Sequence, residues 1–371
     1  MNIVVSAASL RMGGAVTIYN QFISHLREEI DDNRYFIFVN RVLQQPEIAG
    51  VQYYVPDIES RAKRSWFDNQ GCREILEKEG FTPDAVISLQ NTAVRCLHGL
   101  PQLVYYHQPL PFFKREWNPF KREDLEKFLY KHFYLYFVRK SIDKNVQFVV
   151  QTEFLKRGLV KRLGISEARV HVSFPDVELP DVHNIESFPF PKEYCNMIFP
   201  SLYSPHKSHI VLLKALSLLK KKGELGNVRL YFTVSKEEAP VLRNYVERND
   251  IGQYVVFLGR LPYQTTLTLY NSADALLFPS TIETLGLPLI EAASFGLRIV
   301  APDVEYAREV LEGYEGVQYA KADDAEAWSE AIQAIMGGGK NGIYDISSEE
   351  AKRLEGVLRL DLNNTLSCSA A

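Results

Sequence analysis

The sequence has few cysteines and no paired-cysteine motif. Its four cysteines, Cys72, Cys96, Cys195 and Cys368, are widely separated, and no two of them form a CxxC pair. This spacing argues against a zinc site or a disulfide framework and fits a reducing compartment. The sequence also lacks a signal-peptide pattern and any apolar run long enough to cross a bilayer. We therefore expect a cytoplasmic protein.

Several functional motifs are also missing. The formal net charge of -4 over 371 residues gives no general reason to expect nucleic-acid binding. There is no GxGxxG, GxSxG or GxxxxGK[ST] motif, and His206 and His209 do not form the HExxH of a zinc protease. No Asp-x-Asp follows a predicted strand, so the usual anchor of an Mg²⁺ or Mn²⁺ site is absent. We expect no metal and no dinucleotide cofactor.

Short apolar runs alternate with helical patterns along most of the chain. This alternation predicts two doubly wound α/β domains, each with a parallel sheet covered on both faces and with a cleft between them. The predicted boundaries are 1–180, a linker at 181–195, 196–346, and an atypical tail at 347–371. Predicted strands lie at 3–7, 35–39, 51–55, 85–88, 103–106, 146–150, 170–174, 197–199, 229–233, 255–258, 275–278 and 298–301.

The most informative stretch holds two glutamates, Glu283 and Glu291, separated by seven residues. Glu283 follows a buried strand on a loop, and Pro288 suits the start of a helix, which would place Glu291 in its first turn. Ligands of open parallel sheets bind at the carboxyl ends of the strands. Two carboxylates placed there suit hydroxyl-rich ligands, because each can accept hydrogen bonds from vicinal hydroxyls.

A second candidate site surrounds Lys207. Ser204 and Pro205 resemble the start of a helix that runs to about residue 221, which would put Lys207 beside the positive end of the helix dipole. An anionic ligand such as a diphosphate would relieve that conflict. A surface lysine at a helix start explains the pattern equally well.

Two further candidates lie in the first half of the chain. Gly13 and Gly14 come after the first strand and before a helix predicted at 15–29, where they allow close approach to a phosphate or sugar. A tight strand-to-helix turn is the simpler explanation of this pair. His107 ends an apolar strand and should face the same edge as Gly14, although a lone histidine there is more often structural.

Residues 112–145 are basic and aromatic. The segment has nine lysines or arginines against five acids, together with ten phenylalanine, tyrosine and tryptophan side chains. Such a helical region can lie on an anionic membrane surface. It can equally be a packed helix with a solvated charged face.

Taken together, these residues resemble the retaining, family-4 glycosyltransferases of the GT-B fold. The resemblance runs in order from Gly13-Gly14 through His107 and Pro205-His206-Lys207 to the two glutamates, and on to Ala301-Pro302-Asp303. It covers nearly the whole chain. The spaced glutamates followed by a glycine-rich turn form a quite specific motif, whereas the glycine pair and the histidine are not specific.

The resemblance implies a role for each candidate residue. Glu291 would bind the ribose of a nucleotide sugar, and Glu283 the transferred sugar. Lys207 and the backbone N–H groups of Thr284, Leu285 and Gly286 would hold the diphosphate. The turn at Gly13-Gly14 would close the cleft from an acceptor-side N-terminal domain, and His107 would lie near the donor sugar and the acceptor. A metal is usually unnecessary in this family.

Two departures from the family pattern stand out. Many relatives carry an arginine where this chain has Ser201, and either Arg260 or Arg11 could replace it. The tail at 347–371 is short for the helix that, in relatives, crosses back to the N-terminal domain.

The expected activity is transfer of a sugar, with retained configuration, from a nucleotide-diphosphate sugar to a hydroxyl of a glycan or polyprenyl-linked saccharide. Cell-surface polysaccharide synthesis in the cytoplasm is the expected setting, with peripheral contact at the cytoplasmic face of the inner membrane as one option. The alternatives are a GT-B epimerase or phosphorylase, and a non-catalytic nucleotide-sugar-binding homologue. The sequence leaves open the base, the sugar, the acceptor and whether Glu283 acts as a nucleophile.

Overall fold

A computed structural model of the chain describes residues 1–11, 14–28, 32–113, 116–173 and 184–336. These residues form two compact units, one up to residue 173 and one from residue 184. Each unit is built around its own parallel β-sheet. None of the helices within the described ranges combines the length and apolar composition that a membrane crossing requires.

The N-terminal unit contains a sheet of seven parallel strands in the order β3-β2-β1-β4-β5-β6-β7. Its central strands are almost entirely buried, which explains why they read as continuous apolar runs in the sequence. The strands are β1 Asn2–Ala7, β2 Arg34–Val39, β3 Val51–Tyr54, β4 Ala85–Ser88, β5 Gln102–Tyr106, β6 Val146–Val150 and β7 Val170–Val172.

Helices and turns cover this first sheet. Residues of α1 pack on one group of core side chains, and α3 and α5 contribute to two others. The helices are α1 Gly14–Glu28, α2 Arg61–Trp66, α3 Cys72–Lys78, α4 Arg122–Lys140 and α5 Glu153–Leu163, with a π-helical turn at Phe67–Gly71 between α2 and α3.

The C-terminal unit contains a six-stranded parallel sheet in the order β10-β9-β8-β11-β12-β13. Its strands are β8 Cys195–Phe199, β9 Val228–Phe232, β10 Val255–Phe257, β11 Ala275–Leu277, β12 Arg298–Pro302 and β13 Val317–Ala320. Its helices are α6 His209–Lys222, α7 Pro240–Arg248, α8 Tyr263–Ser272, α9 Leu287–Ser294, α10 Glu305–Val310 and α11 Ala325–Ile335.

Both sheets reverse their strand order at one point. In the first sheet the reversal lies between β1 and β4, and in the second between β8 and β11. The connections leaving the carboxyl ends of these strands diverge to opposite faces of the sheet and open a crevice. The loops after β1, β4, β8 and β11 are therefore where ligand-binding side chains are expected.

The twelve predicted strands are confirmed, each within two residues at its ends where the chain is described. Strand β13 was not predicted, because this edge strand is only partly buried and lacks a continuous apolar run. The predicted tail, Gly13 and the start of the predicted linker lie outside the described residues. The described part of that linker packs on the C-terminal unit, where the Phe188 N–H donates to Ser272 Oγ at 2.7 Å. Cys195, predicted to end the linker, already belongs to β8.

Candidate active site

The loop between β11 and α9 carries the first candidate carboxylate. Glu283 follows the fully buried strand β11, and the loop ends at Gly286, which has a φ of 72°. A Cβ atom at Gly286 would lie 3.2 Å from the Tyr306 ring and 3.3 Å from Leu289. Both the left-handed conformation and the close contacts favour glycine at this position. The turn thereby fixes the position of Glu283 between β11 and α9.

Glu283 is held from two directions. Its Oε1 accepts a hydrogen bond from Ser280 Oγ at 2.6 Å and an ion-paired hydrogen bond from Lys207 Nζ. The side chains of Lys207 and Glu283 are 22% and 18% exposed, so solvent screens the pair only in part. The Ser280 carbonyl in turn accepts from the hydroxyl of Tyr306, which is fully buried. These contacts give the carboxylate a defined orientation.

Lys207 does not lie in an α-helix, and the predicted helix start at Pro205 is wrong. Pro205–Lys207 form a single 3₁₀ turn, and α6 begins only at His209. Ser208 between them has a φ of 52°, a left-handed conformation that interrupts helical geometry. Ser204 does not cap the turn either, because its hydroxyl is bonded to His206 Nδ1 at 2.7 Å.

A hydrogen bond supports the left-handed residue next to Lys207. Ser208 Oγ donates to Asp323 Oδ1 at 3.1 Å. Asp323 precedes α11 and itself has a φ of 58°. Two non-glycine residues in the left-handed region therefore meet at one hydrogen bond. Such conformations cost free energy and persist where surrounding contacts hold them. The bond ties the turn that carries Lys207 to the loop between β13 and α11.

Glu291 is one of the few buried acids of the C-terminal unit. It lies in the second turn of α9, because the helix begins at Leu287 rather than at Pro288. The prediction of a first-turn position is therefore wrong by one residue. Glu291 is 8% exposed, and its Oε1 accepts from the Tyr263 hydroxyl at 3.1 Å. Burial raises the pKa of this carboxyl above its ordinary value.

The loop also presents backbone donors. In the described chain, the N–H groups of Thr284, Leu285 and Gly286 donate no hydrogen bond to another backbone carbonyl. They stand between Glu283 and the first turn of α9. Unpaired N–H groups beside a helix N-terminus can bind an anion, because the helix dipole adds a partial positive charge. Thus cationic, anionic and N–H donor groups come together around the end of β11.

The N-terminal unit holds a different set of polar groups. His107 follows β5, and its backbone N–H donates to Asn91 Oδ1 at 2.6 Å. Asn91, which follows β4, has a φ of 65°, and its Nδ2 lies 3.5 Å from His107 Nε2. Burial lowers the pKa of His107 to about 4, so the imidazole is neutral at pH 7.

Gly14 and the glutamine beside Asn91 lie at the same sheet edge. Gly14 is the first residue of α1, and a Cβ atom there would meet nothing within 4 Å. The structure therefore gives no packing reason for a glycine at this position. Gln90 accepts from Ser9 Oγ at 2.5 Å and donates to Ser6 Oγ at 2.5 Å. Amide, hydroxyl and imidazole groups line this edge, and one charged group joins them, because Arg64 Nη1 donates to Gln90 Oε1 at 3.1 Å.

Arg260 and Arg11 are the two candidates to replace the arginine that many relatives carry at the position of Ser201. Ser201 Oγ is bonded to the Leu202 carbonyl at 3.1 Å and contributes no charge. Arg260 is paired with Glu238 and is 70% exposed, so it is committed to another carboxylate. Arg11 belongs to the N-terminal unit. Within the described C-terminal residues, Lys207 is therefore the cation that the fold brings to Glu283.

Several residues of the site were missed by sequence reasoning. Ser280 and Asn91 each follow a predicted strand, and that position at a strand end could have marked them as site residues. Tyr263, Tyr306 and Asp323 come from distant segments and have no local pattern that marks them. In the described ranges, no three histidine, cysteine or acidic side chains converge as metal ligands would. The absence of a metal requirement stays a prediction.

A known protein family matches the C-terminal part of the chain. The family described as glycosyl transferases group 1 matches residues 183–348. This range contains Lys207, Glu283 and Glu291.

Three curated relatives share part of the sequence. The chain is 24% identical over 212 residues to the O-antigen chain mannosyltransferase RfbU of Salmonella typhimurium, covering 57% of this chain and 56% of the relative. It is 28% identical over 169 residues to a phosphatidyl-myo-inositol mannosyltransferase of Mycolicibacterium smegmatis, covering 43% and 42%. It is 31% identical over 128 residues to the O-antigen chain mannosyltransferase B of Escherichia coli, covering 34% and 33%. The chain thus spans about half or less of the length of these relatives.

Solved structures match the whole chain. The apo form of the lipopolysaccharide outer core galactosyltransferase WaaB superposes with a TM-score of 0.68 at 18% identity, covering 100% of both chains. Anabaena HepE in complex with UDP and glucose superposes with a TM-score of 0.66 at 13% identity, covering 99% of this chain and 100% of the other. Two parallel-sheet α/β domains with these neighbours define the fold as GT-B, as the sequence predicted.

Proposed function

We propose that the protein is a retaining, hexosyl-type glycosyltransferase that uses a nucleotide-diphosphate sugar as donor. The observation that carries the proposal is the contact between Lys207 and Glu283 at the point where the second sheet reverses its order. A cation and a carboxylate side by side match the two parts of such a donor. The lysine suits the diphosphate, and the carboxylate suits the hydroxyls of the sugar.

The nucleoside half of the donor would be held by Glu291. Its carboxylate would accept hydrogen bonds from the ribose hydroxyls, while the Tyr263 hydroxyl orients Oε1. Hydrogen bonds of this kind favour the ionised carboxyl, so donor binding would lower the pKa that burial has raised. The ionised form would therefore be the one that binds.

Transfer begins when the bond between the anomeric carbon and the diphosphate breaks. The electron pair leaves with the diphosphate, whose charge is stabilised by Lys207 and by the N–H groups of Thr284–Gly286. The acceptor hydroxyl then bonds to the anomeric carbon from the same face, and its proton passes to the departing phosphate. No metal takes part in this scheme.

Glu283 would orient the sugar rather than attack it. The bonds from Ser280 and Lys207 both fall on Oε1, which leaves Oε2 to accept from a sugar hydroxyl. A carboxylate held by two donors is also less nucleophilic than a free one. Lys207 and Glu283 neutralise each other's charge in this pair, and an incoming diphosphate would draw Lys207 away from Glu283.

The N-terminal unit would supply the acceptor side. His107 would lie near the donor sugar and the acceptor, and the turn at Gly13-Gly14 would approach the donor. The acceptor would be a glycan or polyprenyl-linked saccharide of a cell-surface polysaccharide, handled in the cytoplasm. Support comes from the names of the curated relatives, two of which act on the O-antigen chain.

A second candidate is a non-catalytic homologue that binds the nucleotide sugar. Two observations favour it: Arg260 is paired with Glu238, and Ser201 carries no charge. The described C-terminal unit would therefore offer the diphosphate one cation, Lys207. Such a protein would bind the donor and never break it.

The test is a transfer assay with radiolabelled UDP-, GDP-, ADP- and dTDP-sugars, a chelator and a polyprenyl-linked saccharide acceptor. The proposal predicts a labelled product whose anomeric configuration, read by NMR, equals that of the donor. Donor hydrolysis without an acceptor would serve as a second readout. An inverted product contradicts the retaining mechanism. Tight donor binding with neither transfer nor hydrolysis favours the non-catalytic homologue.

A further inference from the structure

Cys72 and Cys96 lie side by side in the N-terminal unit. Cys72 is the first residue of α3 and is fully buried, whereas Cys96 is 8% exposed and lies in a 3₁₀ turn at Arg95–Leu97. Both belong to one group of core side chains, and the two thiols are hydrogen-bonded to each other. Both cysteines are free. They are far apart in the sequence, so only the fold brings them together.

One backbone carbonyl holds both cysteines. The Phe67 carbonyl begins the π-helical turn before α3 and accepts from the backbone N–H of Cys72, five residues later. The same carbonyl accepts a hydrogen bond from Cys96 Sγ at 3.9 Å. π-Helical turns are rare and are often found at functional sites. This turn therefore fixes the start of one cysteine and the thiol of the other at a single oxygen.

Two further contacts hold the segments in place. Arg73, next to Cys72, donates to the Cys96 carbonyl from Nε at 2.9 Å and from Nη2 at 2.5 Å. On the other side of the π-helical turn, a Cβ atom at Gly71 would lie 2.5 Å from the Trp66 ring, so that ring packs directly on the backbone. The two thiols are thus in contact between segments that are bonded to each other.

The two thiols differ in acidity. The hydrogen bond from Cys72 lowers the pKa of Cys96, and the backbone N–H and guanidinium of Arg73 lower it further, against the opposing effect of burial. The same hydrogen bond raises the pKa of Cys72, and burial raises it further. The thiolate is the reactive form of a cysteine. Cys96, the more acidic and the more exposed of the two, is therefore the one suited to react first.

We propose that Cys72 and Cys96 form a reversible disulfide when the protein meets a peroxide. The Cys96 thiolate attacks one peroxide oxygen, the O–O bond breaks, and the other oxygen leaves as hydroxide, which takes up a proton. Cys96 is then a sulfenic acid. The Cys72 sulfur attacks the Cys96 sulfur, the S–O bond breaks, and water leaves with the Cys72 proton. Two electrons pass from the thiols to the peroxide.

Such a disulfide agrees with a reducing compartment, because disulfides that form there are mostly transient and redox-sensing. Thiol exchange with glutathione would restore the pair. The bond would join the start of α3 to the segment after β4, which also carries Gln90 and Asn91. The site lies within the N-terminal unit, and the proposal does not rest on sugar transfer.

The test is a peptide map of the full-length protein before and after treatment with hydrogen peroxide. Free thiols are alkylated in denaturant, and the chain is digested without reduction. We expect a linked pair of peptides that contain Cys72 and Cys96 and that together have lost two hydrogens. Treatment with glutathione should separate them. Burial raises the pKa of Cys195, which should be alkylated in both samples.

Three variants assign the roles of the two thiols. In Cys72→Ala, the sulfenic acid at Cys96 has no partner and should be trapped by dimedone. In Cys96→Ala, the remaining thiol of the pair should stay unlabelled. Cys195→Ala is the matched control and should form the link as wild type does. Circular dichroism confirms that each variant is folded, and the map of the wild-type protein decides the proposal if a core variant does not fold.

Three results would overturn the proposal. The first is the absence of a linked peptide at a peroxide concentration that converts methionines to the sulfoxide. The second is a link that forms only after the protein has been denatured. The third is oxidation of Cys96 to the sulfinic acid without any link, which would show that Cys72 only fills space in the core.

Discussion

The two units share a strand order around their central strands but differ in the chemistry at the point of reversal. In the C-terminal unit, Lys207 and Glu283 form an ion pair after β8 and β11. In the N-terminal unit, Asn91 and His107 form a neutral pair after β4 and β5. One winding pattern thus provides two edges, and the side chains at each edge decide what it can bind. Under the proposed function, the ion pair suits a diphosphate sugar, and the neutral pair suits an uncharged hydroxyl acceptor.

Removing the charge of Lys207 should have the largest effect on activity. Lys207→Ala takes away the cation that would stabilise the leaving diphosphate, and loss of one such group costs about a hundredfold or more in turnover. The measurement is kcat for donor hydrolysis or transfer. The matched control is Lys220→Ala, which removes a lysine of α6 that is paired with Asp250. A kcat within twofold of wild type in Lys207→Ala would show that the charged edge has no catalytic role.

Weakening the support of Lys207 should have a smaller effect of the same kind. Asp323→Ala removes the acceptor for Ser208 Oγ and frees the left-handed turn that positions the lysine. Loss of about one hydrogen bond predicts a fall in kcat of about threefold to tenfold, with donor affinity changed less.

Two conservative variants sharpen this prediction. Asp323→Asn keeps an oxygen that can accept the bond and should restore most of the turnover. Ser208→Gly accepts a φ of 52° without strain and should also be tolerated, although it loses the hydroxyl. If Asp323→Asn behaved like Asp323→Ala, the charge of Asp323 rather than its bond to Ser208 would be responsible.

Introducing a charge beside His107 should reduce the contrast between the units. Asn91→Asp places a carboxylate beside His107 and should raise its pKa from about 4 by one unit or more. NMR titration of the imidazole measures this shift. Burial favours the neutral imidazole, so wild type loses stability as pH falls from 6.5 toward 4, and the variant should lose less. An unchanged His107 pKa would mean that residue 91 does not face the ring.

The sequence predicted the strands well because parallel strands buried on both faces read as short apolar runs. It also marked Lys207, Glu283 and Glu291, since each follows a strand near a helix start. It did not predict that Lys207 would contact Glu283, because that contact follows from β8 and β11 being neighbours in the sheet. Strand order depends on long-range packing that local patterns do not encode.

The local errors have equally physical causes. Ser208 adopts a left-handed conformation in which glycine is favoured. Its hydrogen bond to Asp323, which lies far along the chain, supports a serine in that conformation. This break moved the start of α6 from Pro205 to His209. Helix α4 shows a different limit. Composition marked residues 112–145 as basic and aromatic. It did not show which side of the helix is buried, and only the packing of Leu135 and Val138 reveals that side.

Calorimetric titration of nucleotides tests the central claim, that the charged edge of the C-terminal unit binds a nucleotide-sugar donor. UDP, GDP, ADP and dTDP are titrated in the presence of a chelator into wild type and into Glu291→Gln, a near-isosteric change that removes the buried carboxylate. We predict that one nucleotide binds to wild type and that the variant binds it about tenfold more weakly, a difference of about 1.4 kcal/mol. Absence of binding by every nucleotide, or equal affinity in both proteins, would contradict the account.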